Sequence, residues 1–141
     1  MRVMVIVKAT KDSENGVMPD ARLLEDMGRF NDELAKAGIL LAGEGLQTSR
    51  KGKRVHFSGP KRTVTDGPFT ETKELVAGFW LWQVKSMDEA VEWAKRCPNP
   101  HPSDCDLEIR QVFEPDDFGV ELTPEARARE EKLRAQTSGK R

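Results

Sequence analysis

At 141 residues the chain has the length of one domain, enough to bury most of its apolar surface without covalent staples. Its 23 basic and 24 acidic residues nearly cancel, which argues against a dedicated nucleic-acid surface. No apolar run approaches a membrane span or a signal-peptide core, and two cysteines without secretory context read as reduced thiols. The chain is therefore expected to be cytoplasmic, with neither membrane nor nucleic acid as partner.

Val3 to Val7 form a continuous aliphatic run, which predicts a central strand covered on both faces. After a polar loop, Asp20 caps a predicted helix whose apolar positions are Leu23, Met27, Phe30, Leu34 and Ala37. Those steps of four, three, four and three draw one stripe against a core. Gly38 offers the left-handed cap that ends it, and a strand over Ile39–Leu46 follows. Residues 54–65 read as a hairpin in which Val55 and Phe57 alternate with polar residues, turning at Gly59-Pro60-Lys61-Arg62. Val76–Val84 is the most apolar strand. Ser86 and Glu89 have capping-box spacing at the start of a second helix, with Met87, Ala90, Ala94 and Cys97 as its stripe and Pro98 as its stop. Leu107, Ile109, Gln111 and Phe113 alternate along a last strand.

Strand, helix, strand, hairpin, strand, helix, strand is the order of a ferredoxin-like α+β sandwich with an inserted β-hairpin, both helices on one sheet face. This domain is placed at residues 1–118, with a helical tail at 119–141. Thr123 caps and Pro124 opens a tail helix over 123–136, and the terminal SGKR is expected to fray.

Along Val76–Val84, Ala77, Phe79 and Leu81 share one face; Val76, Trp80, Trp82 and Val84 share the other. Two helices cover one face only, and two wet indoles, each offering about 150–250 Å² for burial, would forfeit several kcal/mol. A second copy placed sheet to sheet, a homodimer closing a dimeric α/β barrel, is the expected cover.

The stretch VTDGPFTETKE at 64–74 is a turn by its chemistry: Gly67 relaxes the backbone, Pro68 fixes it, and Asp66 accepts nearby amides. It is also a candidate pocket rim, since a carboxylate at the mouth of an apolar cleft becomes a tunable acid or base. The long stretch RTVTDGPFTETKELVAGFWLWQVKSMDEAVEWAKRCPNPH (62–101) resembles the YCII-related, DGPF-motif family. GEGLQ (43–47), EIRQVFEPDDFG (108–119) and LTPEARAREEKLRAQ (122–136) extend the likeness over most of the chain. The resemblance implies a ferredoxin-like fold, dimerisation through sheets and a pocket beside the motif aspartate, here Asp66. Similar proteins include a dehydrochlorinase relying on a His–Asp pair and members fused to, or beside, alternative sigma factors. The histidine of that pair belongs to the first helix, and this helix has none.

Two expectations follow. In the first, a small polar ligand binds in the pocket of a regulatory, sigma-factor-linked dimer, with Glu44, Lys73, Arg54, Asn31 and Trp80 as contacts; Trp80 reads first as interface core. In the second, a cofactor-independent lyase or isomerase uses Asp66 as base, Glu71 or His101 as second proton carrier, and Lys73 or Arg54 against developing negative charge. No nucleotide motif is present. Cys97, His101 and Cys105 lack the fourth ligand that zinc needs, so no metal is assigned.

Overall fold

The computed structural model describes residues 1–138, so positions 139–141, within the segment expected to fray, lie outside the described residues. The chain divides into two compact units, Met1–Gln111 and Val112–Arg141.

The first unit runs β1 (Arg2–Lys8), α1 (Lys11–Glu14), α2 (Ala21–Lys36), β2 (Leu40–Gly45), β3 (Lys53–Ser58), β4 (Lys61–Asp66), β5 (Val76–Gln83), α3 (Met87–Lys95) and β6 (Leu107–Gln111). Strands β2-β5-β1-β6 form one sheet with every neighbour antiparallel. This α+β arrangement is consistent with a ferredoxin-like sandwich. The hairpin β3–β4 stands apart as its own two-stranded sheet. Its turn is tighter than expected: Ser58 pairs with Lys61, leaving only Gly59-Pro60 as the loop. Gly59 takes the left-handed φ of 57° that the first position of such a two-residue turn favours.

Local chemistry sets the helix ends. The Asp20 carboxylate accepts the Leu23 amide at 2.8 Å, and Gly38 has a φ of 74° beyond the C-cap. Phe30 and Leu34 of α2 are buried and Met27 packs against the same core, whereas Ala37 is an exposed cap residue. Ser86 Oγ accepts the Glu89 amide at 3.1 Å to start α3. Helix α1 lies within the segment expected to be a loop. The capping box between Thr10 and Ser13 holds it, with no apolar stripe to announce it.

Two expectations about the sheet are corrected. Strand β1 is not covered on both faces of the single chain: Val3, Val5 and Val7 are buried, while Met4 on the opposite face is 36% exposed. The tryptophans are not on the open face. Register pairs Val3 with Trp82 and Val5 with Trp80, so both indoles share the face that the helices cover. There Trp82 is fully buried and Trp80 is 6% exposed, with Phe30 edge-on to both at centroid distances of 5.9 and 6.2 Å. The helices alone keep the indoles dry. The uncovered face carries Met4 opposite Leu81 and Ile6 opposite Phe79, bordered by Glu44, Glu108 and Arg110.

In the second unit a 3-10 turn, Pro115–Glu121, precedes α4 (Pro124–Ser138), whose first turn is capped by Thr123 Oγ1 accepting the Ala126 amide at 3.1 Å. Arg127 bonds Asp116 at 3.0 Å, which ties the turn to the tail helix. No residue of α4 is buried.

Candidate ligand-binding groove

At the end of the sheet where β1 and β2 run out and β5 begins, a half-open groove of about 1040 Å³ is lined by Val7, Leu23, Met27 and Trp80. Residues 16–20, 43–48 and 99–102 contribute its walls. Four of the candidate residues contribute to its lining, Asn31, Trp80 and His101 on the helix side and Glu44, paired with Phe79, on the opposite face of the sheet edge. Trp80 Nε1–H donates to Asn31 Oδ1 at 2.8 Å, which fixes the amide and leaves its NH2 as the group to offer a ligand. Gly43 is required beside this indole, because a Cβ there would lie 2.6 Å from Trp80 Cδ1.

His101 sits on the loop after α3. Its Nε2 is 2.9 Å from the Lys8 carbonyl, an acceptor only, so that nitrogen carries hydrogen. In the neutral ring Nδ1 is then the acceptor, 3.5 Å from the Thr10 hydroxyl. Asn99 Oδ1 accepts the His101 amide at 3.0 Å and holds the loop.

The other four candidates lie outside the groove lining. Asp66 ends β4 with its side chain 75% exposed and paired with Lys53. Arg54 lies 3.8 Å over the Phe69 ring and 3.5 Å from the Glu71 carboxylate, pinning the turn from outside. A hydrogen bond from its own backbone amide, followed by the Arg54 charge, holds the Glu71 carboxyl below the usual range, so at neutral pH it has no proton to give. Lys73 is exposed in the 3-10 turn Thr72–Glu74. The pocket expected beside the motif aspartate is thus displaced from it.

What the Asp66-Gly67-Pro68-Phe69 turn does touch is the 49–52 segment, in which Lys51 lines the groove. Gly67 N–H donates to the Gly52 carbonyl at 2.9 Å, and Phe69 N–H donates to Ser49 Oγ at 3.0 Å. The Gly67–Pro68 peptide is cis. Ser49 in turn gives its amide to Glu14 of α1 at 2.9 Å and its hydroxyl to the same carboxylate. Sequence reasoning misses Glu14, Ser49 and the groove residue Asp12. The Thr10–Ser13 capping spacing was the available signal for α1; the pairing of Glu14 with Ser49 leaves none.

Cys97, at the base of the His101 loop, has its thiol pushed up to about 12, first by burial and then by nearby Cys105. Cys105 is raised as well, chiefly by burial, and its thiol donates to Asn99 Oδ1 at 3.0 Å. Among the described residues no three His, Cys, Asp or Glu side chains are grouped to hold a metal ion. Cys97 is expected to resist iodoacetamide at pH 8 in the folded protein and to react on unfolding. The folded value lies above the ordinary 9.0, so the stability it contributes is full below about pH 9 and is lost as pH climbs towards 12. Labelling at pH 8 as fast as for a free thiol would contradict that burial.

These features define a small α+β domain with a half-open groove at one end of its sheet. Residues 1–115 match the YCII-related domain, and the chain belongs to that family. An uncharacterized protein of Rhizobium meliloti (strain 1021) is 33% identical over 93 residues, covering 66% of this chain and 75% of the relative. No helix among the described residues is long and apolar enough to cross a membrane.

Proposed function

We propose that this chain is a cytoplasmic ligand-binding protein that acts as a two-fold dimer, its groove receiving a small molecule with an apolar body and a polar end. The presence of Asn31, Trp80 and His101 along one groove, with Glu44 at its sheet edge, carries the reading. Its lining combines an apolar floor around Val7, Leu23, Met27 and Trp80 with polar and charged groups, a make-up that suits a small molecule with both kinds of surface. The small polar ligand expected from sequence would use the polar part of this lining, and an apolar body uses the rest. Dimerisation is supported by the uncovered sheet face around Met4, Ile6, Phe79 and Leu81, where a second sheet would complete a barrel. The family resemblance supports a regulatory setting beside an alternative sigma factor, with the exposed α4 as the surface for that partner.

A second reading is cofactor-free acid–base chemistry, and His101 favours it. An imidazole held by one nitrogen on the Lys8 carbonyl keeps the other for proton transfer to or from a ligand.

A thermal-shift screen of small metabolites against wild type, Glu44→Gln, His101→Asn and Asp66→Asn tests both readings. A true ligand at one hundred times its Kd stabilises by about 2.7 kcal/mol. The shift is expected to shrink in the Glu44 and His101 variants and persist in Asp66→Asn. A screen in which nothing protects the wild type, or in which every variant responds alike, rejects the groove as the binding place. Turnover of a hit that disappears in His101→Asn selects the second reading.

A further inference from the structure

We infer that the hairpin β3–β4 of a second copy caps the groove, bringing that copy's Phe57, Lys61 and Arg62 to its rim; the inference rests on the dimer proposed above. Every residue of both hairpin strands is exposed in the single chain. A lone two-stranded hairpin is marginal in water. This one also presents an apolar face: Val55 and Val64, directly opposite one another, are 50% and 59% exposed, and Phe57 is 66% exposed. Its base is fastened by the Gly67–Gly52 hydrogen bond and the Lys53–Asp66 pair, and six-residue strands carry the tip about 20 Å outward. The arm is built to meet something beyond its own core.

The groove supplies the matching surface. Its rim exposes Val17 (55%), Met18 (79%) and Leu46 (50%), apolar side chains facing the same deficit as the arm. Charge is complementary too. The lining holds Asp12, Asp20 and Glu44 against Lys51, and neither Asp12 nor Glu44 has a cation partner among the described residues. At the arm's tip Lys61 and Arg62 have no carboxylate partner among those residues. Arg62 bonds only the Gly59 and Lys61 carbonyls, at 2.8 and 2.9 Å, with its guanidinium 4.5 Å over Phe57. One chain thus carries both halves of the contact, as a two-fold dimer requires, and each pair of chains makes it twice. Glu44 lies beside Phe79 on the uncovered sheet face, so the capped groove continues the proposed interface. A ligand in the groove would then meet cationic groups of the second copy in addition to Lys51 of the same chain.

Charge reversal tests this on exposed residues that leave the core untouched. Sedimentation equilibrium on the full chain is expected to show a wild-type dimer. Lys61→Glu with Arg62→Glu should raise the dissociation constant at least tenfold, and so should Asp12→Lys with Glu44→Lys. Mixing these two variants should restore association, because each acidic arm then meets a basic groove and each basic arm an acidic one. Circular dichroism confirms that each variant folds. A wild-type dimer indifferent to both reversals overturns the arm contact and leaves the dimer standing. A monomeric wild type overturns both. Arm variants that dimerise normally but lose a foreign protein partner would also overturn it, assigning the arm to that partner.

Discussion

Gly67→Ala is expected to destabilise the protein by about 3 kcal/mol or more, while Asp66→Asn, its neighbour in the same motif, costs about 1 kcal/mol or less. The difference is steric. A Cβ on residue 67 would stand 1.7 Å from the Ser49 carbonyl oxygen and 2.7 Å from its carbon, both backbone atoms that cannot rotate away. Relief requires the turn and the 48–52 segment to separate, which breaks the Gly67–Gly52 and Phe69–Ser49 hydrogen bonds together. Ser49 also anchors Glu14, so the damage reaches α1 and the groove wall. Asp66, by contrast, loses one solvent-exposed ion pair with Lys53. Urea unfolding of the two variants measures the gap. Equal midpoints would mean that the motif is not the clamp its contacts describe, and a collapse confined to Asp66→Asn would return the aspartate to the centre of the motif.

The sequence pattern made most of the elements legible because their signals are local. The stripe from Leu23 to Leu34, the Asp20 and Ser86 caps and the Gly38 stop each depend on neighbours within a few residues. Which face of β5 the helices cover is a different kind of question. Alternation shows that Trp80 and Trp82 share a face, and only the pairing with Val3 and Val5 decides which face that is. The groove divides the same way. Asn31, Glu44, Trp80 and His101 could be named individually from polarity and position, yet their place along one groove depends on how α2, β2, β5 and the loop after α3 converge. Asp66 stands out in the sequence through its motif. Its place at the foot of an inserted hairpin, away from the sheet end, follows from the arm's geometry, which no local pattern encodes. The composition of 64–74 revealed a turn correctly; that the turn braces a wall was hidden in contacts with residues 49 and 52.

Trp82→Ala should cost about 3–5 kcal/mol, the range for emptying a buried aromatic site, and should do so in a single subunit. Trp82 has no exposed surface, touches Phe30 edge-on, and lies with Trp80 at a centroid distance of 5.8 Å, so little around it is free to collapse into the void. Trp82→Phe is a sharper probe. The Trp82 indole N–H is buried without a partner, a burden of about 1–3 kcal/mol, and phenylalanine removes that burden while leaving a smaller cavity. The two effects oppose, so this variant should stay within about 1.5 kcal/mol of wild type. Trp80→Phe has no such relief, because it takes from Asn31 Oδ1 the donor it now holds at 2.8 Å, and should cost more than Trp82→Phe. Tryptophan emission should keep its blue, buried position as the protein is diluted through any monomer–dimer transition. A red shift on dilution, or a Trp82→Phe loss exceeding that of Trp80→Phe, would place the indoles in a contact between subunits instead of beneath the helices of one.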